Sequence, residues 1–306
     1  SAGTPYIMGF DPQRRSRAGR QFIDVGIAEE HAVTCSAALA LAGASPVFGV
    51  YGVFLQRAYD QLWHDVCLNS APVTILDFGA SVFGTTAETH LSFFDLSMVS
   101  NLPNLLVLAP CCQEEYLSML NWALDQRALP VLIRVPGAGV ISRPDLAPAA
   151  PVDPSAATAD RATTAPATID WSRPAYQTVR RGERLAILGL GDFLPFAEQI
   201  ADAVLDELGF SPTVINPRIA SAIDMQELDR IAADHAALIT LEDGIVEGGW
   251  GQQVVAAMAA SGMRMKCYGI SKAPGFPDRY QPQELLAKHG MSTAGILADV
   301  RTMLGL

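Results

Sequence analysis

The stretch that decides the fold of this chain is Asp24-Val25-Gly26-Ile27-Ala28-Glu29-Glu30-His31-Ala32. An apolar run at residues 21–25 predicts a short strand, and the small residues 32–42 predict a helix after it. Two adjacent carboxylates and a histidine at such a junction suit acid–base chemistry. Acids at a helix start also complement the helix dipole without any catalytic role. The stretch alone leaves both interpretations open.

Three further segments lie downstream of this stretch. They are Ser45-Pro46-Val47-Phe48-Gly49-Val50, then Tyr51-Gly52-Val53-Phe54-Leu55-Gln56-Arg57-Ala58-Tyr59-Asp60-Gln61, and then His64-Asp65. Together with the first stretch they resemble the pyrimidine-binding domain of thiamine-diphosphate enzymes in the transketolase family, most of all its 1-deoxyxylulose-5-phosphate synthase branch. The resemblance is dense over residues 21–65 and extends, with gaps, across most of the chain outside residues 147–171.

The composition allows two domains within 306 residues, each with its own core. Half of the residues are apolar, but no run approaches the roughly eighteen that a membrane span needs, and we expect no secretory leader. A net charge of −11 argues against nucleic acid or an anionic membrane as a partner. The five cysteines have no metal-ligand or redox spacing, which predicts reduced thiols in a cytoplasmic protein and no metal ligands.

The pattern along the chain predicts an α/β fold with two doubly wound domains. Short apolar runs alternate with helical stretches, which indicates parallel sheets covered by helices. We assign residues 1–145 to a pyrimidine-binding domain, 146–180 to an Ala- and Pro-rich linker, and 181–306 to a transketolase C-terminal domain that helps subunits assemble. Apolar periodicity vanishes in the linker, so we expect it to be partly mobile. The predicted strands are residues 47–50, 73–77, 105–108, 131–134, 185–190, 212–215, 237–242 and 265–270.

The resemblance implies thiamine diphosphate as cofactor, which acts as an electron sink once its thiazolium ring loses a proton. That activation requires a buried carboxylic acid beside the pyrimidine N1′ atom, and the family's glutamate falls on Glu29. Glu30 is either a solvated helix residue or a like charge that tunes Glu29.

Further cofactor and catalytic roles follow from the same resemblance. Phe54 is expected to stack on the pyrimidine ring, with Tyr51 and Ile27 beside the cofactor, although Phe54 also suits a core position at a helix start. His31 and His90 are expected to handle substrate hydroxyls and protons.

The substrate side departs from the family pattern. The family's loop aspartate falls on Thr86, and two arginines that hold a sugar phosphate fall on Gly79 and Gly137. Arg57 and Arg134 remain as candidate anion-binding residues, with Thr86 as a third substrate-binding residue. We therefore expect a roomier, less cationic pocket and an acceptor other than a small sugar phosphate. Phe83, Phe93 and Phe94 are candidates for apolar walls of this pocket, with a core position as the alternative for some of them.

The sequence contains no Gly-Asp-Gly motif and no Asn-Asn pair, with which the family binds diphosphate through Mg²⁺. The resemblance therefore implies a separate α-type subunit that supplies the diphosphate-binding domain and the Mg²⁺ ligands, in an α2β2 heterotetramer. The leading hypothesis is the β-type subunit of a split transketolase-like transferase, active only with that subunit, which moves a two-carbon ketol unit to an aldehyde. The alternatives are a decarboxylating carboligase of the synthase type, a 2-oxo acid dehydrogenase E1 β-like subunit, and a non-catalytic scaffold.

Overall fold

A computed structural model describes residues 9–148, 169–174, 176–273 and 275–306, which form two α/β domains. The predicted mobile linker falls mainly outside these described residues. The predicted fold class is confirmed by two separate sheets, each covered by helices.

The first domain is built on a four-stranded parallel sheet in the order β1-β2-β4-β3. Most side chains of its strands are apolar and buried, as a parallel sheet with both faces covered requires. The strands are β1 Val47–Tyr51, β2 Thr74–Phe78, β3 Leu106–Leu108 and β4 Val131–Arg134. The helices are α1 Pro12–Ala18, α2 Glu29–Leu41, α3 Gly52–Leu55, α4 Tyr59–Gln61, α5 Asp95–Val99 and α6 Gln113–Asp125, with a π-helical segment Leu62–Cys67 and 3-10 turns Gly19–Gln21, Gln56–Ala58, Glu88–His90 and Pro144–Leu146.

The prediction of a strand at residues 21–25 is wrong. Residues 22–28 instead form an irregular segment that leads into α2. Asp24 Oδ1 accepts a hydrogen bond from Gly26 N at 2.9 Å, and Gly26 has φ +71°, so a turn precedes the helix. Ile23 is 58% exposed, which means that this apolar run is not buried against the sheet. A direct strand-to-helix junction lies instead where β1 ends and α3 begins.

The second domain contains a five-stranded sheet in the order β5-β7-β6-β8-β9, with β5 antiparallel to its neighbour β7. Strand β5 lies within residues 146–180, the range assigned to the linker, and its half-buried polar residues gave no apolar pattern. The strands are β5 Gln177–Arg180, β6 Arg184–Gly189, β7 Thr213–Asn216, β8 His235–Ile245 and β9 Arg264–Ile270. The helices are α7 Leu194–Leu208, α8 Met225–Asp234, α9 Trp250–Ala257, α10 Pro282–Lys288 and α11 Thr293–Leu304, with 3-10 turns Gly191–Phe193 and Ala259–Ser261.

The two domains pack through shared apolar clusters and direct backbone contacts. Ile245 N donates to Phe93 O at 2.9 Å, and the Tyr280 hydroxyl donates to Val82 O at 3.0 Å. All five cysteines are free thiols. Among the described helices, none has the length and apolar character that a membrane crossing would need.

The aromatic residues expected as walls of a substrate pocket lie in this interdomain core. Phe93 is fully buried and stacks on Phe94, with 4.9 Å between the ring centroids. Phe83 packs against Phe193 of the second domain at 6.0 Å. Their rings therefore hold the two domains together, in agreement with the core alternative.

Candidate active site

Three of the predicted cofactor residues, Glu29, Tyr51 and Phe54, meet at the carboxyl end of β1. Helix α2 precedes this strand and packs along it, so its first residue, Glu29, lies at the end of the sheet where the strand finishes. Tyr51 is the last residue of β1, and Phe54 lies in the helix that follows at once. Parallel sheets bind ligands beyond the carboxyl ends of their strands. The fold therefore places these side chains where a ligand site is expected.

Glu29 and Glu30 are adjacent but lie in opposite environments. Glu29 is 9% exposed, and its Oε2 atom has no hydrogen-bond partner among the described residues. The nearest cation is Arg57, whose Nη1 lies 3.5 Å from that oxygen, an ion pair too long for a good hydrogen bond. Glu30 is exposed, in agreement with the solvated alternative. Glu29 is thus a buried acid with an unused oxygen.

Phe54 is the centre of a cluster of site residues. The His90 ring lies edge-on to it, with 5.5 Å between centroids and 81° between planes. Tyr51 meets it in the same manner at 6.5 Å, and the Arg57 guanidinium carbon lies 5.6 Å from the ring centroid. Glu29 joins the cluster through its ion pair with Arg57. We call these five residues the Phe54 cluster.

Hydrogen bonds fix the loop that carries His90 against the helix that carries Phe54. Ser92 Oγ accepts from Val53 N at 3.0 Å and contacts His90 O at 3.4 Å. Thr89 Oγ1 lies 2.8 Å from His90 Nδ1, so Nε2 is the ring nitrogen left for a substrate. Sequence reasoning missed Ser92 and Thr89, because a hydroxyl gives no pattern that distinguishes a positioning role.

Three predicted site residues show no hydrogen bond or ring contact with the Phe54 cluster within the described ranges. His31 lies exposed on α2, and Ile27 is 68% exposed just before that helix. Thr86 lies in the loop that carries His90, and its carbonyl accepts from Arg279 N at 2.7 Å. They are close to Glu29 or His90 in the sequence.

The structure corrects the substrate role predicted for Arg134. This side chain is buried, and Nε donates to Asp95 Oδ2 at 2.6 Å. Nη1 donates to Asp243 Oδ1 at 2.8 Å, and Nη2 donates to Ala80 O at 2.5 Å. Because its donor groups are engaged in the interior, Arg134 cannot meet a substrate anion.

A buried acid that sequence reasoning missed lies under the site. Asp77, near the end of β2, is fully buried, and neither of its carboxyl oxygens has a hydrogen-bond partner in the described part of the chain. Burial, reinforced by the neighbouring Asp95 carboxyl, raises the pKa of Asp77 well above its ordinary value. A Cβ on Gly52 would lie 2.6 Å from Asp77 Oδ1, so the junction between β1 and α3 accepts glycine alone. The sequence signal that could have identified this buried acid is an aspartate within an apolar strand pattern.

The loop after β4 is built around a glycine. A Cβ on Gly137 would lie 2.3 Å from the Cβ of Ser81, which leaves no room for a side chain. Gly137 N and Ala138 N both donate to Asp192 Oδ2, at 2.7 and 3.1 Å. Burial raises the pKa of Asp192 to about 6. An arginine therefore does not fit at this position of the chain.

Cys111, Cys112 and Glu115 form a buried group whose ligand atoms lie within 4.8 Å of one another. Glu115 Oε1 already accepts from Arg218 Nε at 2.6 Å and from Asn216 Nδ2 at 2.8 Å. Its other oxygen accepts from the Cys111 backbone and thiol. This group serves the contact between the two domains.

Two family models match the chain, one in each domain. Residues 9–138 match the transketolase pyrimidine-binding domain, and residues 175–296 match the transketolase C-terminal domain. The chain belongs to the transketolase family. This membership confirms the predicted resemblance and the predicted fold class, with a pyrimidine-binding domain ahead of a C-terminal domain.

Named relatives agree with this membership. The 1-deoxy-D-xylulose-5-phosphate synthase of Acidovorax ebreus (strain TPSY) is 34% identical over 311 residues, covering 98% of this chain and 45% of the relative. The synthase of Clostridium beijerinckii is 36% identical over 263 residues, covering 86% of this chain and 38% of the relative. The chain thus spans less than half the length of these relatives.

A solved structure described as a split-gene transketolase, in an inactive β4 tetramer, has the same fold. It superposes with a TM-score of 0.73 over 100% of this chain and 90% of that chain, at 22% sequence identity.

Family membership implies dependence on thiamine diphosphate. The Phe54 cluster fits the pyrimidine half of that cofactor, because it combines a buried carboxyl oxygen that lacks a partner with an aromatic ring beside it. The sequence has no Gly-Asp-Gly motif for the diphosphate half and its metal ion. The fit is therefore to the pyrimidine half alone.

Proposed function

We propose that this chain forms the pyrimidine-binding side of a thiamine-diphosphate-dependent, transketolase-like transferase that moves a two-carbon ketol unit to an aldehyde acceptor. One observation carries the proposal. Glu29 Oε2 is buried without a hydrogen-bond partner among the described residues, and the cation nearest to it also covers the Phe54 ring. A structural core gains nothing from a carboxylate left in this state.

On the cofactor side, thiamine diphosphate supplies an electron sink when it is bound. When the cofactor is bound, Glu29 would hydrogen-bond the pyrimidine ring nitrogen through Oε2 and supply its proton. Phe54 offers an aromatic surface to that ring, and Tyr51 supports Phe54 edge-on. Ile27 is exposed beside the start of α2 and is available to cover the ring.

On the substrate side, His90 presents Nε2, because Thr89 engages Nδ1. With Nδ1 engaged in this way, Nε2 would exchange a proton with a substrate hydroxyl. His31 and Thr86 are proposed to complete this side, and Arg57 is proposed to bind an anionic end of the substrate.

The diphosphate and Mg²⁺ are proposed to be held by a separate α-type subunit in an α2β2 assembly. The description of the structural neighbour as a split-gene enzyme supports this division. Co-purification with the tagged chain tests it, and we expect a stoichiometric partner that carries the motif. The isolated chain should bind thiamine diphosphate weakly in calorimetry and tightly once the partner is added. Micromolar affinity of the chain alone would contradict the division.

A decarboxylating carboligase is the second candidate, and the names of the curated relatives favour it. Gly79 and Gly137 lie where the family pattern has arginines, and the loops around them argue against the same substrate as that of the synthase relatives. Gly137 has no room for a side chain, and Gly79 has φ +67° with Tyr51 Cδ1 3.2 Å from where its Cβ would lie. Release of CO₂ from pyruvate by the assembled enzyme would favour the second candidate, whereas transfer from a ketose without CO₂ supports the first.

A further inference from the structure

Arg57 occupies both of the contacts that the proposed pyrimidine site needs. Its Nη1 atom lies 3.5 Å from Glu29 Oε2, and its guanidinium carbon lies 5.6 Å from the centroid of the Phe54 ring. The Glu29 side chain is 11% exposed and that of Arg57 is 50% exposed. The guanidinium therefore lies on the solvent side of the acid and over the aromatic ring.

We propose that Arg57 is a cover for the pyrimidine subsite, which must leave Glu29 and Phe54 before a pyrimidine ring binds there. The released guanidinium then takes the anionic end of the substrate. This inference rests on the proposed function. It assigns Arg57 two successive roles in one site, first as a cover over Glu29 and Phe54 and then as a ligand of the substrate anion.

The contacts of Arg57 are weak enough to be exchanged. A separation of 3.5 Å exceeds the usual range of an N–H···O hydrogen bond. Within the described ranges the Arg57 guanidinium makes no hydrogen bond, so its donors are available to an anion in bidentate geometry. Arg134 is the contrast, since its guanidinium is buried and bound at 2.5 to 2.8 Å by three partners.

Thermodynamic linkage follows from this exchange. A pyrimidine ring and an anion both require the conformation in which Arg57 has left Glu29. Each ligand therefore raises the affinity for the other, and by the same factor. The cofactor therefore binds before the substrate, because cofactor binding releases Arg57, the residue that receives the substrate.

The test uses the full chain and measures binding rather than turnover. The probe is an uncharged 2-methyl-4-aminopyrimidine, titrated by calorimetry or ligand-detected NMR with and without inorganic phosphate. Arg57→Met should bind the probe about threefold to tenfold more tightly than the wild type, since the partly exposed ion pair with Glu29 and the cation–π contact with Phe54 no longer compete. Phosphate should strengthen probe binding to the wild type and leave Arg57→Met unchanged. Arg127→Met, which alters an exposed arginine of the same domain, is the matched control and should behave as the wild type.

Equal or weaker probe affinity of Arg57→Met would overturn the inference, and so would a wild type that does not respond to phosphate. Glu29→Ala and Phe54→Ala separate this failure from that of the proposed function. If these two variants lose probe binding while Arg57→Met shows no gain, the pyrimidine site is supported and the covering role of Arg57 is refuted. If the probe binds no better to the wild type than to these two variants, both proposals fail.

Discussion

Arg134 and Asp243 join the two domains in the interior, with 2.8 Å between Nη1 and Oδ1. The arginine ends β4 of the first sheet and the aspartate lies in β8 of the second, 109 residues later. Asp95 shares the same guanidinium at 2.6 Å. A buried pair of this kind costs desolvation, but the loss of one partner leaves uncompensated charge in the interior. Arg134 is therefore the shared cation of a buried ionic junction between the two domains.

Replacement of this arginine should destabilise the protein strongly. Arg134→Met leaves Asp95 and Asp243 without their counter-ion, and we expect a loss of about 3 to 5 kcal/mol in the free energy of unfolding, measured with urea. Arg143→Met is the matched control, because Arg143 pairs with Glu198 of the second domain in a partly exposed position. That change should cost at most about 1 kcal/mol. Similar losses in the free energy of unfolding for the two variants would show that the buried pair stabilises the protein no more than the partly exposed one.

The contact between Asp192 and the loop after β4 should make stability depend on pH. Burial and the neighbouring Asp243 raise the pKa of Asp192 from 3.8 to about 6, while Arg134 acts in the opposite direction. Between these two values the folded protein keeps a proton that the unfolded chain has lost. The stabilisation is therefore fully present below pH 3.8 and is lost as the pH rises through about 6.

Asp192→Asn should remove this dependence, since the amide keeps an oxygen that accepts from Gly137 N and Ala138 N. We expect the wild type to lose about 2 to 3 kcal/mol more than the variant between the two limits, in urea unfolding over a pH series. Asp202→Asn changes an exposed acid on α7, the helix that follows the turn of Asp192, and should leave the wild-type profile intact. Parallel profiles for the wild type and Asp192→Asn would refute the assignment.

The loops at Gly79 and Gly137 bear on the acceptor. Both are shaped around glycine, and Arg134 is withdrawn into the interior, so Arg57 is the remaining candidate cation of the predicted set. One guanidinium holds a phosphate dianion less firmly than several. We expect the reconstituted enzyme to favour an unphosphorylated aldehyde over glyceraldehyde 3-phosphate when both compete. Preference for the phosphorylated acceptor would contradict this expectation.

Much of the fold could be predicted from apolar periodicity. The run Val131–Arg134 was predicted with the bounds that the structure has, because a buried parallel strand is apolar on both faces. Strand β5 was missed because an edge strand with half-buried polar residues has no such pattern. The strand at residues 21–25 was predicted wrongly, because the turn at Asp24 and Gly26 overrides an apolar run that finds no partner.

Five of the predicted site residues lie together in the structure, but the sequence did not predict the environment of each side chain. Glu29 and Glu30 are identical in type, and their position on α2 decides that one is buried and the other exposed. Arg134 looked like an anion-binding residue because its partner Asp243 lies 109 residues away in another domain. Such a pairing leaves no trace in local sequence.

The acid role of Glu29 is tested most directly by proton exchange. In the assembled complex, Glu29→Gln should slow exchange of the C2 proton of bound thiamine diphosphate by at least about a hundredfold, because an amide does not supply the N1′ proton. Glu30→Gln is the matched control next to it, and we expect an exchange rate within about threefold of the wild type, since an exposed acid adds little to a screened site. Equal exchange rates in the two variants, measured by NMR after transfer to deuterated buffer, would contradict the central assignment.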